Sequence, residues 1–228
     1  MDLSLKPPKK SDLNKSWMKP KPDRNIKIQS EYHLIVTEGT DTEPAYFEAT
    51  RDVINKQYRE KIQLEVSGEG DNTINLFWKA RQLALDSANV YRHVWVVYDT
   101  DDFPSDHIDQ VVDLCKENRT EETKYHTIWS NQCVELWFLL HFSFMQSDIH
   151  RTEYWPKLTS WLTGIGAGTY EKNRTDMYQI LRPFMDYAIS NAKRLEIINR
   201  GKQPSKAAPG TKVYELVEKL KPYLPEDN

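Results

Sequence analysis

The chain has 228 residues and a mass of 26.9 kDa, enough for one large domain or for a domain with a small extension. No apolar run reaches the roughly 18–20 residues that a membrane span needs, and no apolar segment follows the basic start as in a secretory signal. The two cysteines suit a reducing compartment and argue against a cysteine-rich zinc site. We therefore expect a cytoplasmic protein without a membrane partner.

The formal net charge of −3 is the sum of three unequal regions. Residues 1–28 carry +5, residues 29–191 carry −11 and residues 192–228 carry +3. The overall value alone suggests no nucleic-acid partner, whereas basic ends around an acidic body are compatible with phosphate binding beside a cation. The proline-rich and lysine-rich residues 1–30 are expected to form a flexible basic leader.

Strand and helix patterns alternate from residue 32 to residue 142. The predicted elements are a strand at 33–36, a helix from 42, a strand at 62–66, a helix from 72, a strand at 94–98, a helix at 105–118, a strand at 125–129 and a helix at 133–142. Strands that alternate with helices of this length predict an α/β domain over 31–150, with a parallel sheet and helices on both faces.

Only helical patterns follow residue 150. Residues 155–162, 176–200 and 211–223 are the candidates, and Pro183 is expected to kink or split the second of them. We therefore expect a helical extension at 151–228 that packs on the α/β domain.

Carboxylates follow the strands of the predicted sheet. Glu38 follows the first strand, Asp99, Asp101 and Asp102 follow the third, and Glu135 lies just after the fourth. Ligands of open parallel sheets bind at this edge, and a cluster of carboxylates persists there when a divalent cation neutralises it. Oxygen donors without nearby His or Cys favour Mg²⁺ or Mn²⁺, which points to phosphoryl-transfer or phosphodiester chemistry. Each residue taken alone has an alternative as a loop carboxylate or a helix-terminal charge.

A second set of residues is a candidate for substrate binding. It comprises Gly39, Gly70, Asn72 and Thr73 near the strand ends, and Lys193 and Arg194 in the C-terminal part. Glycines and a helix start can hold a phosphate through backbone N–H groups, and the two basic residues can hold a substrate backbone. An ordinary capped loop and a solvated helix face explain them equally well. Glu43 either reaches the same edge or favours the helix start through its charge.

Three segments resemble a known family. They are Leu34-Ile-Val-Thr-Glu-Gly-Thr-Asp-Thr-Glu-Pro-Ala-Tyr-Phe47, Val96-Val-Tyr-Asp-Thr-Asp-Asp-Phe-Pro104 and Ser130-Asn-Gln-Cys-Val-Glu-Leu-Trp-Phe-Leu-Leu-His-Phe142. Glu-Gly after one strand and Asp-x-Asp after another resemble the two motifs of the Toprim fold, which is shared by topoisomerases, primases and nucleases of the overcoming-lysogenization-defect family. The three segments together are similar to the RloB-like family, and the resemblance covers about residues 32–222.

The resemblance implies a Toprim-like sheet and a metal-dependent nuclease of bacterial antiviral defence, controlled by an RloA-type ATPase. By motif matching, Glu38 takes the place of the general acid/base near the metal, and Asp99 and Asp101 match the metal-binding pair. Asp102 and Glu135 match auxiliary ligands. The implied substrate is RNA, for example tRNA, or DNA, and a homo-oligomer is left open.

Two other classes of function remain open on the residues alone. Acidic strand ends also serve phosphatases and nucleotidyl-transfer enzymes. Alternatively, the chain is a non-catalytic binding subunit that associates with an ATPase. The sequence has no Gly-x-x-x-x-Gly-Lys-Ser/Thr motif, so any ATP hydrolysis would need a separate partner.

Overall fold

The structure, a computed structural model, describes residues 31–58, 62–69, 72–100 and 104–225. The basic leader expected at 1–30 lies outside these ranges. Three residues proposed for the site, Gly70, Asp101 and Asp102, also lie outside the described residues.

Four strands form one sheet in the spatial order β2-β1-β3-β4, and all neighbouring pairs are parallel. The strands are β1 (Glu31–Thr37), β2 (Ile62–Gly68), β3 (Tyr91–Asp99) and β4 (Lys124–Ser130). Val94 and Val96 in β3 are fully buried, as expected for β-branched residues in a parallel sheet covered on both faces. The prediction of an α/β fold with a parallel sheet is confirmed.

Eight α-helices lie within the described ranges. They are α1 (Thr42–Tyr58), α2 (Thr73–Asp86), α3 (Ser105–Glu117), α4 (Glu135–Leu140), α5 (Tyr154–Gly164), α6 (Met177–Leu181), α7 (Met185–Ile198) and α8 (Val213–Leu220). Short 3₁₀ turns precede α5, join α6 to α7, and lie before and after α8. No helix in the described part of the chain is both long and apolar enough to span a bilayer.

The helices cover the two faces of the sheet as two separate layers. Side chains of α1 and of α4 to α8 share one hydrophobic cluster with Ile35, Trp95 and Ile128 of the strands. Side chains of α2 and α3 form the other cluster with Leu34 and Val96. The helices after residue 150 therefore pack on the same face of the sheet as α1, and the division into two domains at residue 150 stays a prediction.

Two helical segments differ in detail from their sequence patterns. The helix predicted at 133–142 is shorter, because Gln132 adopts a left-handed conformation (φ 64°) and the Cys133 N–H bonds to the Asn131 carbonyl at 2.8 Å. The tight turn delays the start of α4 to Glu135. The split expected at Pro183 is confirmed, since a 3₁₀ turn over Arg182–Phe184 separates α6 from α7.

Candidate functional site

The carboxyl ends of all four strands lie at one edge of the sheet, which we call the carboxyl edge. The chain runs from β1 outward to β2, then returns across β1 to β3 and continues to β4. The direction of winding therefore reverses between β1 and β3. In open parallel sheets a crevice for ligands opens at such a reversal, outside the carboxyl ends of the two strands.

Glu38 and Asp99 meet at this reversal. The backbone N–H of Glu38 donates to the Val97 carbonyl at 2.9 Å, which extends the pairing of β1 with β3 by one residue. The backbone N–H of Asp99 in turn donates to Glu38 Oε2 at 3.4 Å. Both side chains are half-buried. The structure thus brings together the first two of the proposed catalytic residues, while Asp101 and Asp102 follow directly in the chain beyond the described residues.

Gly39 lets the side chain of Glu43 approach the same edge. A Cβ built on Gly39 would lie 2.7 Å from Glu43 Cδ, so any larger residue would collide with this carboxylate. Glu43 is only 6% exposed although it lies in the first turn of α1. The Thr37 hydroxyl donates to the Gly39 carbonyl at 2.8 Å and fixes the turn. Of the two readings of Glu43, reach to the carboxyl edge is therefore the one that its position favours.

Glu135 lies deeper, between the sheet and the C-terminal helices, and is 2% exposed. Its Oε1 accepts hydrogen bonds from Tyr170 Oη at 2.8 Å and from Trp155 Nε1 at 3.2 Å. Burial, reinforced by the negative charge of Glu135, raises the pKa of the neighbouring Cys133 thiol. Because Oε1 already has two donors, a metal-binding role for Glu135 would fall to Oε2, and that role stays a prediction.

Within the described part of the chain, two buried polar atoms near the carboxyl edge have no hydrogen-bond partner. One is Thr73 Oγ1 at the start of α2, and the other is Asn131 Oδ1 just after β4. Thr73 is fully buried and follows Asn72, whose side chain caps α2 by accepting the Asn75 N–H at 3.1 Å. The first turn of α2 carries no acidic residue, so the positive end of its helix dipole is favourable for an anion.

Lys193 and Arg194 are each held by a neighbour in the described part of the chain. Lys193 Nζ lies 2.6 Å from Glu218 Oε1, and the Arg194 guanidinium lies 3.7 Å from the centre of the Phe144 ring. None of their contacts in that part of the chain is to Glu38 or Asp99. Their assignment to substrate binding stays a prediction.

A cavity of about 420 Å³ adjoins the carboxyl end of β4. Its lining includes Trp129, Arg200, Lys202 and Lys212. The Ser130 and Thr211 hydroxyls, 2.8 Å apart, tie the wall of this cavity to the sheet. The basic residues of the cavity lie far in sequence from the strand motifs. The one sequence signal for an anion-binding cavity was therefore the positive charge of the C-terminal region.

The opposite end of the sheet, the amino edge, holds a histidine cluster. Glu31 and His33 on β1, His93 on β3 and His126 on β4 lie around Trp95. Burial lowers the pKa of His33 to about 4 and that of His93 to about 3, so both rings are neutral at pH 7. Burial alone would raise the pKa of Glu31, but the hydrogen bond and positive charge of Lys219 outweigh it and lower that pKa.

The two edges differ in how closely their ligand atoms gather. Among the described residues, one group of three such atoms lies within 4.8 Å of one another, and it consists of Glu31, His33 and His93 at the amino edge. At the carboxyl edge, Asp101 and Asp102 fall outside the described residues. Sequence periodicity gave no signal for the histidine group, because His93 lies 60 residues after His33 and meets Glu31 and His33 only through the strand register.

A parallel sheet with carboxylates at its winding reversal and a layer of C-terminal helices defines an α/β protein with a candidate metal site for phosphate chemistry. The family model described as RloB-like protein matches residues 33–220, and the chain belongs to the RloB-like family. No curated protein and no solved structure matched the chain. The family expected from the three sequence segments is therefore confirmed.

Proposed function

We propose that the chain is a metal-dependent nuclease of the Toprim type. The observation that carries this proposal is the contact of the Asp99 N–H with the Glu38 carboxylate at the winding reversal of the sheet. Two sequence motifs separated by 60 residues of chain thereby form one edge. Membership of the RloB-like family is compatible with the same activity.

The donors at this edge fit Mg²⁺ or Mn²⁺. Glu38 and Asp99 offer carboxylate oxygens, and Asp101 and Asp102 add two more carboxylates directly after β3. Hard oxygen ligands of this kind are those that Mg²⁺ and Mn²⁺ prefer. A bound ion would stabilise negative charge on the scissile phosphate and on the leaving oxygen.

Proton transfer and phosphate binding are assigned to different groups of the protein. Glu38 accepts the Asp99 N–H, so its carboxylate is oriented for general acid/base transfer with the attacking water. Gly39, Gly70 and the start of α2 at Asn72 and Thr73 receive the phosphate through backbone N–H groups and the Thr73 hydroxyl, which has no hydrogen-bond partner among the described residues.

The phosphates that flank the cleaved bond need positively charged side chains, which must lie outside the acidic carboxyl edge. The cavity beside β4 supplies Arg200, Lys202 and Lys212, and α7 adds Lys193 and Arg194. Phosphate contacts of this kind bind the backbone without reading sequence, which suits RNA, including tRNA, as well as DNA. We further propose a cytoplasmic defence role and control by an RloA-type ATPase, on the strength of the family alone.

The test is cleavage by the purified full chain of tRNA, other RNA and plasmid DNA, with Mg²⁺, Mn²⁺ or a chelator. We expect cleavage of one substrate class that is lost with the chelator and in Glu38→Ala. Glu48→Ala is the matched control, because Glu48 is an exposed glutamate of α1 that pairs with Arg51. Wild-type cleavage by Glu38→Ala would refute the assignment of Glu38.

The same assay separates the two alternative classes. A phosphatase or nucleotidyl-transfer enzyme would release phosphate or transfer a nucleotide without cutting any of the three nucleic acids. A non-catalytic subunit would bind an RloA-type ATPase and cut nothing, even after release from it. Either result would replace the nuclease proposal.

A further inference from the structure

The amino edge of the sheet holds three ligand atoms that converge from two neighbouring strands. His33 Nε2 lies 3.5 Å from Glu31 Oε2, and His93 Nε2 lies 4.0 Å from the same oxygen. His33 and His93 are direct partners in the register of β1 with β3. The backbone therefore holds the two imidazoles side by side, with the carboxylate two residues before His33.

Two of these atoms, His33 Nε2 and Glu31 Oε2, are buried, and the His33 side chain has no exposed surface. Within the described residues His33 Nε2 has no regular hydrogen bond, and Glu31 Oε2 is paired with the Lys219 ammonium at 3.1 Å. A buried polar atom without a partner is costly, and in most proteins it is satisfied by protein, by water or by an ion. The convergence of His33 Nε2 and His93 Nε2 on the Glu31 carboxylate offers a set of donor atoms to a cation.

We propose that Glu31, His33 and His93 form a binding site for a first-row transition ion, with Zn²⁺ as the ion that fits best. Two imidazoles and one carboxylate are a common zinc ligand set, with a fourth position for water. Bonds of about 2.0–2.2 Å at tetrahedral angles place ligand atoms about 3.3–3.5 Å apart. The separations from Glu31 Oε2 are 3.5 Å and 4.0 Å, and the three ligand atoms lie within 4.8 Å of one another, so a movement of His93 toward the other two ligands would bring the set to this spacing.

His126 contacts the nitrogen of His93 that does not face Glu31. His93 Nδ1 lies 2.9 Å from His126 Nε2, so a proton on His93 Nδ1 can be donated to His126. This tautomer leaves the lone pair of His93 Nε2 directed toward Glu31 and His33. An outer partner that orients a ligating imidazole in this way is typical of zinc sites.

Two contacts compete with the ion and make the proposal specific. Lys219 Nζ from α8 lies 3.1 Å from Glu31 Oε2, so its ammonium group occupies the side of the carboxylate that the ion needs. Trp95 Nε1 donates to His33 Nδ1 at 3.2 Å, which places the ring proton of metal-free His33 on Nε2. Binding of the ion therefore displaces the Lys219 ammonium from Glu31. It also requires the proton on His33 Nε2 to move to His33 Nδ1, after the Trp95 indole N–H has turned away from that nitrogen.

The expected consequence is stability rather than cleavage. The ion would join β1 to β3 at the edge opposite Glu38 and Asp99, and the proposal does not depend on the nuclease activity. By binding only the folded chain, an ion at about 100 times its Kd should raise Tm by about 5–10 °C.

The test is titration of the full chain with Co²⁺ as a spectroscopic substitute for Zn²⁺. We expect one equivalent of Co²⁺ with the visible absorption of tetrahedral coordination, and displacement of it by Zn²⁺. Glu31→Gln and His93→Gln should weaken binding by more than about 100-fold, since even outer partners of a metal ligand are worth 10–100-fold. His150→Gln, which removes an exposed histidine that bonds to Thr152, is the matched control.

Two further variants keep the proposal falsifiable if the ligand variants fold poorly. Lys219→Met removes the competing ammonium from a partly exposed position and should tighten Co²⁺ binding. Glu38→Gln should leave the tetrahedral spectrum unchanged, which separates this site from the carboxyl edge. Absence of a stoichiometric tetrahedral spectrum, a spectrum that persists in folded His93→Gln, or weaker binding in Lys219→Met would overturn the proposal.

Discussion

The two edges of one sheet are built from the same strands but offer opposite chemistry. At the carboxyl edge, a half-buried carboxylate follows β1 at Glu38 and another ends β3 at Asp99. At the amino edge, the same two strands begin with Glu31, His33 and His93, which pack against Trp95 and the last helix. An open edge with oxygen donors suits an exchangeable substrate and Mg²⁺, whereas a closed edge with imidazoles suits a tightly held ion. The two proposals therefore assign different chemistry to the two ends of the same strands.

Asp99→Asn should have the largest effect of the variants that test the contrast between the two edges. Loss of a metal-binding carboxylate should lower kcat/KM for nucleic-acid cleavage by about 10³-fold or more, because metal contacts supply several kcal/mol of transition-state stabilisation. The measurement is cleavage rate against Mn²⁺ concentration. Asp113→Asn is the control, since Asp113 is exposed on α3 and pairs with Lys116. If the Mn²⁺ dependence of cleavage instead followed Glu31→Gln, the roles of the two edges would be reversed.

Gly39→Ala sharpens the assignment of the carboxyl edge without removing a charge. The new Cβ would press on the Glu43 carboxylate, so that either this side chain or the turn at Gly39, next to Glu38, has to move. We expect cleavage to fall by about 10–100-fold, the size of effect that a displacement of about 1 Å can produce. Gly164→Ala is the matched control, because a Cβ there meets nothing within 4 Å. Equal activity of the two variants would show that Glu43 and its turn play no part in cleavage.

A buried histidine outside both edges should make stability depend on pH. His141 at the end of α4 is 1% exposed, its Nδ1 bonds to the Trp137 carbonyl at 2.9 Å, and burial lowers its pKa to about 4. Between pH 6.5 and 4 the unfolded chain binds a proton at this residue that the native chain does not bind. Stability is therefore fully present above pH 6.5 and decreases as the pH falls toward 4, by up to about 1.4 kcal/mol per pH unit.

Urea unfolding at a series of pH values measures this dependence. His141→Gln should remove that part of the slope, whereas His150→Gln, at an exposed position, should leave it unchanged. The same slope in the wild-type chain and in His141→Gln would assign the pH dependence to other groups.

The sequence predicted the fold through local patterns and missed what depends on register. The alternation of strands and helices, and the break at Pro183, follow from periodicity and backbone chemistry that act over a few residues. The later start of α4 depends on the left-handed Gln132, which no hydrophobic pattern reveals.

The candidate site shows the same limit. Glu38 and Asp99 could be placed at one edge from the general rule for parallel sheets, but their direct contact requires β1 and β3 to be neighbours, which only the strand order shows. His33 and His93 each look like ordinary core residues in the sequence. Their pairing in register makes them a candidate metal site, because the backbone brings the two imidazoles and the Glu31 carboxylate close enough to bind one ion.

Lys193→Ala should give the smallest effect and tests whether α7 serves the carboxyl edge. Lys193 forms an exposed ion pair with Glu218, so its loss should change stability by less than about 1 kcal/mol. If Lys193 contacts a substrate phosphate, KM should rise several-fold with kcat unchanged, and the slope of log affinity against log salt should decrease by about one. Lys116→Ala, which breaks a comparable exposed pair with Asp113 on α3, should leave the salt slope unchanged. Equal salt slopes for both variants would make Lys193 a solvated residue of the helix surface, and the substrate path would then run only through the cavity lined by Arg200, Lys202 and Lys212.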